Sequence, residues 1–281
     1  MRDMSFGQYY PTASPIHKLD ARVKILLSVL YIVFIFFVPS YVGYFVTLLF
    51  ITAVFIIGKI PMRAMLKSVK GILFLLIFMA ALNVLFYKEG KVLVDWWIIR
   101  ITDKGIDFAI KMALRLLFLV MGASVLTLTT SPMELTDGIE SLLSPLKLIK
   151  IPVHDFALAM SITLRFIPTL MEETDKIIMA QKARGSSFDT GGPIAKIKAL
   201  IPVLIPLFTS AFRKSYELAD ALDARCYNAT KNRTRMKVMK PTWRDVIAFL
   251  VMAAFITFIC LDKWYFHGLD ALLVEFVRSI I

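Results

Sequence analysis

The chain has 281 residues, 58% of them hydrophobic, and a mean hydropathy of +0.71. Soluble domains run nearer about 45–50% apolar, so the composition excludes an ordinary soluble enzyme and points to the membrane class. The formal net charge of +12, from 33 basic and 21 acidic residues, is the excess expected of loops on the cytoplasmic side of a membrane protein, and no interleaved basic and aromatic motif suggests nucleic acid as a partner.

In chain order, the first 23 residues hold charges and prolines but no apolar h-region, so no cleavable signal peptide is expected. From Ile25 to Gly58 no charged residue occurs, a run far longer than the roughly 20 residues that cross a bilayer. Pro39-Ser40 breaks it into two predicted spans, about 24–38 and 41–57. A third span is expected over about 71–87 and a fourth over about 108–130. The fifth, about 243–265, has Trp243 at one end and Trp264-Tyr265 at the other, the bracketing of an interfacial aromatic belt.

Charge bias orients these spans. The amino-terminal arm carries Arg2, Lys18, Arg22 and Lys24, and "KIPMRAMLKSVK" after the second span adds Lys59, Arg63, Lys67 and Lys70 with no acid. After the third span, Lys88, Lys91, Arg100 and Lys104 are matched by Glu89, Asp95, Asp103 and Asp107. The alternation predicts a cytoplasmic amino terminus and an outer carboxyl terminus. Ala199–Phe212 is apolar but short and holds Pro202 and Pro206. Counting it as a span would send the basic stretch "KNRTRMKVMK" at 231–240 outside, so it is read as interfacial or buried.

Residues 131–240 are therefore predicted to form a cytoplasmic coupling domain between the fourth and fifth spans, leaving 1–130 and 241–281 as membrane segments. It opens with "SPMELTDGIESLL", where Ser131 suits an N-cap, Pro132 the first helical position and Glu134 a capping box. A long helix follows through "HDFALAMSITLRFIPTLMEETDKIIMAQKARG", with Pro168 as an expected kink. After "GSSFDTGGP" a third helix is predicted over about 194–225. Such an apolar insert that cannot span should lie against the bilayer or other membrane helices.

Both long helices end on Ala-Arg-x: Ala183-Arg184-Gly185 and Ala224-Arg225-Cys226. The plainer reading is a helix stop, with a basic residue complementing the dipole and glycine in the left-handed conformation. Yet neither arginine has an acid three or four residues earlier: Gln181 and Ala180 precede Arg184, and Leu222 and Ala221 precede Arg225. Two unpaired guanidinium forks beside small residues suit bidentate capture of carboxylates on a partner protein.

These motifs, with "SPIHKLDARVKILL", "TTSPMELTDGIESLLSPL" and "ADALDARCYN", resemble the EcfT/CbiQ-like family, the transmembrane T components of energy-coupling factor (ECF) transporters. The resemblance covers nearly the whole chain. It implies an all-α polytopic membrane protein with about five transmembrane helices and a coupling domain of long helices between the fourth and fifth. It also implies a non-catalytic subunit of an ATP-driven importer in the cell membrane, without cofactor or metal of its own. Arg184 and Arg225, flanked by Ala183, Gly185, Ala224 and Cys226, would dock into two cytosolic ABC ATPase subunits. A separate membrane-embedded S component would capture the substrate, a vitamin or a transition-metal ion. One departure stands out: Cys226 occupies a position where the family commonly has glycine, so the left-handed freedom of glycine is lost there.

The remaining polar residues take plainer readings. Cys226 and Cys260 are expected on opposite sides of the bilayer and lack CxxC partners, and His17, His154 and His267 are scattered, so neither a disulfide nor a metal cluster is expected. Lys111 and Arg115 read as snorkelling residues, Asn83 as an interhelical hydrogen bond, and Arg165 with "EETD" at 172–175 as a solvated or locally paired face. An intramembrane enzyme would need ionisable groups clustered at one membrane depth, and a self-sufficient secondary transporter would need inverted repeats; the sequence offers neither. It also contains no GxxxxGK[ST] phosphate loop.

Overall fold

The computed structural model describes residues 9–87, 90, 92–96, 99–145, 153–186, 192–227 and 242–265. The basic stretch 231–240 and the chain beyond 265 lie outside the described residues. Two compact units result, Met1–Pro145 with Lys240–Ile281, and Leu146–Met239.

The first unit is a helical membrane bundle. Its elements are α1 (Ala21–Ile35), α2 (Tyr41–Ile57), α3 (Met62–Phe86), strands β1 (Val92–Trp96) and β2 (Ile99–Thr102), α4 (Asp103–Thr129), α5 (Pro132–Leu142) and α8 (Trp243–Tyr265). The starts of α1, α2, α4 and α5 are set by short polar side chains that accept the first free amides. Asp20 accepts from the Arg22 amide at 3.0 Å, Ser40 from Gly43 at 2.9 Å, Thr102 from Gly105 at 3.2 Å and Ser131 from Glu134 at 3.3 Å.

Among the described residues three helices, α3, α4 and α8, are long and apolar enough to cross a bilayer, and α2 is a shorter apolar helix. The chain is thus a polytopic membrane protein. Helix α1 has 15 residues and stops at Ile35, with only turns between it and Pro39. At about 1.5 Å per residue it is shorter than the roughly 30 Å hydrocarbon core.

Two boundaries differ from the sequence reading. Helix α3 begins at Met62 and α4 at Asp103, so the basic stretch before the third span and the acidic approach to the fourth are already helical. The sequence also showed no strands, yet β1 and β2 pair antiparallel with Val94 opposite Ile101 and Trp96 opposite Ile99. The β-branched residues of "VLVDWWIIRIT" favour that pairing, and charge counting passes over them.

The bundle core joins α1, α2, α4 and α8. Phe50 stacks on Phe255 with ring centroids 4.4 Å apart, and Tyr31 stacks on both. Tyr31 lies directly over Gly122, where a Cβ would come within 2.1 Å of its ring, and its hydroxyl donates to the Phe118 carbonyl at 3.1 Å. Helix α5 packs on α1 with Gly138 against Ala21 and Ile25, so it belongs to this unit, whose edge falls at Pro145.

The second unit holds α6 (Val153–Ala183) and α7 (Pro193–Ala224). Helix α6 runs on through Pro168, and α7 through Pro202 and Pro206. The two are antiparallel. His154 at the start of α6 meets the hydroxyl of Tyr227 just past α7, Glu173 meets Ser210 and Lys214, and Gln181 meets Pro202.

Candidate functional site

The two Ala-Arg-x ends are built alike down to single hydrogen bonds. At the end of α6, the Gly185 amide donates to the Lys182 carbonyl at 3.0 Å and the Ser186 amide to Gln181 at 3.0 Å. At the end of α7, the Cys226 amide donates to Asp223 at 2.9 Å and the Tyr227 amide to Leu222 at 3.0 Å. Both are Schellman turns, in which a left-handed residue lets the chain fold back and satisfy the last carbonyls. Arg184 and Arg225 are the cap residues of these turns, and Gly185 (φ 90°) and Cys226 (φ 52°) are the left-handed ones.

Cysteine at the second end therefore adopts the conformation that glycine adopts at the first, despite its Cβ. The two ends share the hydrogen bonds of the turn and a left-handed residue at the same position. Around Gly185 nothing lies within 4 Å of a built Cβ, so glycine is needed there for its backbone freedom rather than for space.

All six residues, Ala183, Arg184, Gly185, Ala224, Arg225 and Cys226, are exposed. Among the described residues neither arginine has an ion pair or a side-chain hydrogen bond, as the lack of an acid one turn earlier predicts. Solvent carries both charges.

The structure does not bring the two arginines together. His154 opposite Tyr227 and Gln181 opposite Pro202 fix the antiparallel register, so Arg184 and Arg225 lie at opposite ends of the helix pair. About 30 residues at about 1.5 Å each separate His154 from Arg184, which puts the two guanidinium groups on the order of 40 Å apart.

Sequence reasoning overlooked two groups that hold this arrangement. Gln181, immediately inside the first cap, donates from Nε2 to the Pro202 carbonyl at 3.4 Å. Pro206 has no amide to give the carbonyl four residues back, so that acceptor is free for a side chain; a Gln at the end of one helix and a Pro-x-x-x-Pro in the next are the signal. Glu173, read as part of a solvated or locally paired face, instead reaches across to Lys214 and Ser210 of α7. The Lys214 hydrogen bond, then that of Ser210, holds the Glu173 carboxyl below its ordinary range.

In the bundle, Lys111 pairs with Asp107 at 3.1 Å, and Arg115 donates to the Val38 carbonyl at 3.4 Å, next to the Pro39 break. Arg115 thus ties α4 to the turn between α1 and α2, while the Lys111 ammonium, paired within its own helix, lies 4.9 Å from the centroid of the Tyr41 ring at the start of α2. Among the described residues no group of three or more His, Cys, Asp or Glu is placed to hold a metal ion.

A protein-family profile described as "CbiQ: Cobalt transport protein" matches residues 12–236. An energy-coupling factor transporter transmembrane protein EcfT from Ruminiclostridium cellulolyticum is 48% identical over 266 residues, covering 95% of this chain and 99% of the relative. The proteins of the same name from Clostridium kluyveri and Bacillus subtilis are 48% identical over 252 residues and 39% identical over 262 residues. The former covers 89% of this chain and 93% of the relative, the latter 92% and 99%.

Proposed function

Since the chain belongs to the EcfT family of energy-coupling factor transporter transmembrane proteins, we propose that it is the scaffold through which two cytosolic ATPase subunits drive a separate substrate-capturing membrane subunit. Arg184 and Arg225 each enter an acidic groove on one ATPase, and Ala183, Gly185, Ala224 and Cys226 allow close approach. The chain itself is non-catalytic. The amino terminus and the α6–α7 unit face the cytoplasm, and five helices, α1 to α4 and α8, make the membrane domain. The choice of substrate, a vitamin or a transition-metal ion, rests with the S component.

The observation that carries this reading is the pair of identical, exposed, uncompensated arginine caps at opposite ends of one antiparallel helix pair. A separation on the order of 40 Å suits two subunits rather than one groove. Guanidinium forks held at rigid helix ends suit bidentate capture of carboxylates. Affinity purification of the tagged chain from native membranes is expected to bring down two ABC ATPases, and the double variant Arg184→Glu with Arg225→Glu is expected to bring down neither. ATPases retained by the double variant would overturn the docking assignment.

A further inference from the structure

The stretch "SPIHKLDARVKILL", residues 14–27, has no part in arginine docking, yet its polar groups are bonded across the bundle. We propose that the first turn of α1, residues 20–24, is the anchor through which movement of the α6–α7 unit is passed to the membrane helices, with Asp245 and Lys24 as its positioning residues. The proposal rests on the scaffold reading above.

The chain leaves the membrane unit after Pro145 and returns to it at Lys240, ahead of α8. Both connections are fastened to the same turn of α1. On the return side, Asp245 Oδ1 accepts the Asp20 amide at 3.0 Å and Oδ2 accepts the Thr242 amide at 2.6 Å. On the outgoing side, Lys24 Nζ donates at 2.9 Å to the carbonyl of Thr129, the last residue of α4, beside the Ser131 cap of α5. Helix α5 then packs on that turn, where a Cβ at Gly138 would lie 3.1 Å from the Ala21 Cβ and 3.0 Å from the Ile25 Cδ1.

Ordinary capping explains only half of this. Asp245 is the third residue of α8, so one oxygen on the Thr242 amide completes a capping box. Its other oxygen serves a different helix, 225 positions away. Lys24 also bonds outside its own helix, to Thr129 and at 3.1 Å to the His17 carbonyl, and the carboxylates of Glu134, Asp20 and Asp245 act on it as counter-charges. Those acids stand in the first turn of α5, at the cap of α1 and in the first turn of α8, the segments that the anchor joins. Lys24 and Asp245 are both buried. Directional, charge-assisted bonds hold their register, whereas apolar helix faces can slide by small shear movements. A displacement at either connection therefore reaches α1.

Hydrogen–deuterium exchange of the native complex, captured through a tag on this chain, reads the joint directly, because the Asp20 amide is itself the donor to Asp245. The probe is a non-hydrolysable ATP analogue added to the captured ATPases. In the wild type it is expected to change exchange in α6 and α7 and, by about fivefold or more, at residues 20–24. Asp245→Ala is expected to keep the first change and lose the second. Thr102→Ala, which removes the cap of α4 outside the joint, is expected to lower the melting temperature and keep both changes. Wild-type residues 20–24 that stay silent overturn the anchor, and leave the scaffold reading standing where ATPases are captured. An undiminished response at 20–24 in Asp245→Ala, or its loss in Thr102→Ala, also overturns the anchor. Capture of no ATPase overturns the scaffold reading and the anchor with it. The wild-type measurement decides by itself, so the test holds even if Asp245→Ala assembles poorly.

Discussion

Lys59, Gly185 and Cys226 each occupy the left-handed position of the same helix-ending turn, with one amide bonded three residues back and the next bonded five back. Only the latter two follow an alanine and an arginine. The turn itself is thus a common stop, and the arginine is what sets two of the three apart. That much was legible, because the missing acid at Ala180, Gln181, Ala221 and Leu222 is a statement about spacing. The left-handed Cys226 was not legible, since cysteine has no preference for that region and only the hydrogen bonds of the turn impose it. A non-glycine residue there costs roughly 1–2 kcal/mol, and glycine gives back part of that as lost chain entropy. Cys226→Gly is therefore expected to stabilise the chain by about 0.5–1 kcal/mol, seen as a raised melting temperature of the purified protein, with ATPase capture intact. Gly185→Ala is expected to do the reverse by about 1 kcal/mol, without any steric clash to blame.

Between elements, two contacts carry predictions. Tyr31 lies over Gly122 with no room for a side chain and bonds the Phe118 carbonyl. Gly122→Val forces the ring away from Phe50 and Phe255, and overpacking of this kind costs about 1–3 kcal/mol; a melting temperature equal to wild type would contradict the packing described. In the second unit Glu173 joins α6 to α7 through Lys214 and Ser210, and its carboxyl is held below the ordinary value of 4.5. A depressed carboxyl contributes stability that is complete above its unfolded value and is lost as pH falls through its folded one. Protection factors of the α6 and α7 amides, with the intrinsic pH dependence of exchange divided out, are accordingly expected to fall below about pH 4.5, and Glu173→Gln is expected to remove that acid-dependent component. The sequence conveyed the long helices themselves and the start of α5, because apolar patterning and the Ser131-Pro132 cap are local signals. It could not convey Glu173 pairing with Lys214, or Gln181 reaching Pro202, because both depend on the register of the α6–α7 pair. The β1–β2 hairpin was hidden differently: its acids balanced the local lysines and arginines, so the segment read as a charge-neutral loop while its β-branched residues were pairing.

Across the whole molecule, function depends on distance more than on any one contact. In the assembly proposed above, two docking ends on the order of 40 Å apart would let each ATPase be held by its own arginine, and the shared scaffold would keep the second partner at a high effective concentration once the first is bound. Losing one fork should therefore not release everything. Removing one partner of a hydrogen-bonded interfacial charge pair costs about 2–5 kcal/mol, so Arg184→Glu or Arg225→Glu alone is expected to lower the salt concentration at which the complex falls apart. Loss at low salt is expected only for the double variant. Arginine's planar fork also matters apart from its charge. Arg184→Lys with Arg225→Lys should retain the attraction but lose bidentate geometry, giving a complex that forms at low salt and dissociates earlier than wild type. Salt titration of immobilised complexes, read as ATPase released, orders the five proteins: wild type, double lysine, the two single glutamates, double glutamate. If either single glutamate variant matched the double one, the two ends would be acting as one site, and the antiparallel separation of Arg184 from Arg225 would have no part in holding two subunits.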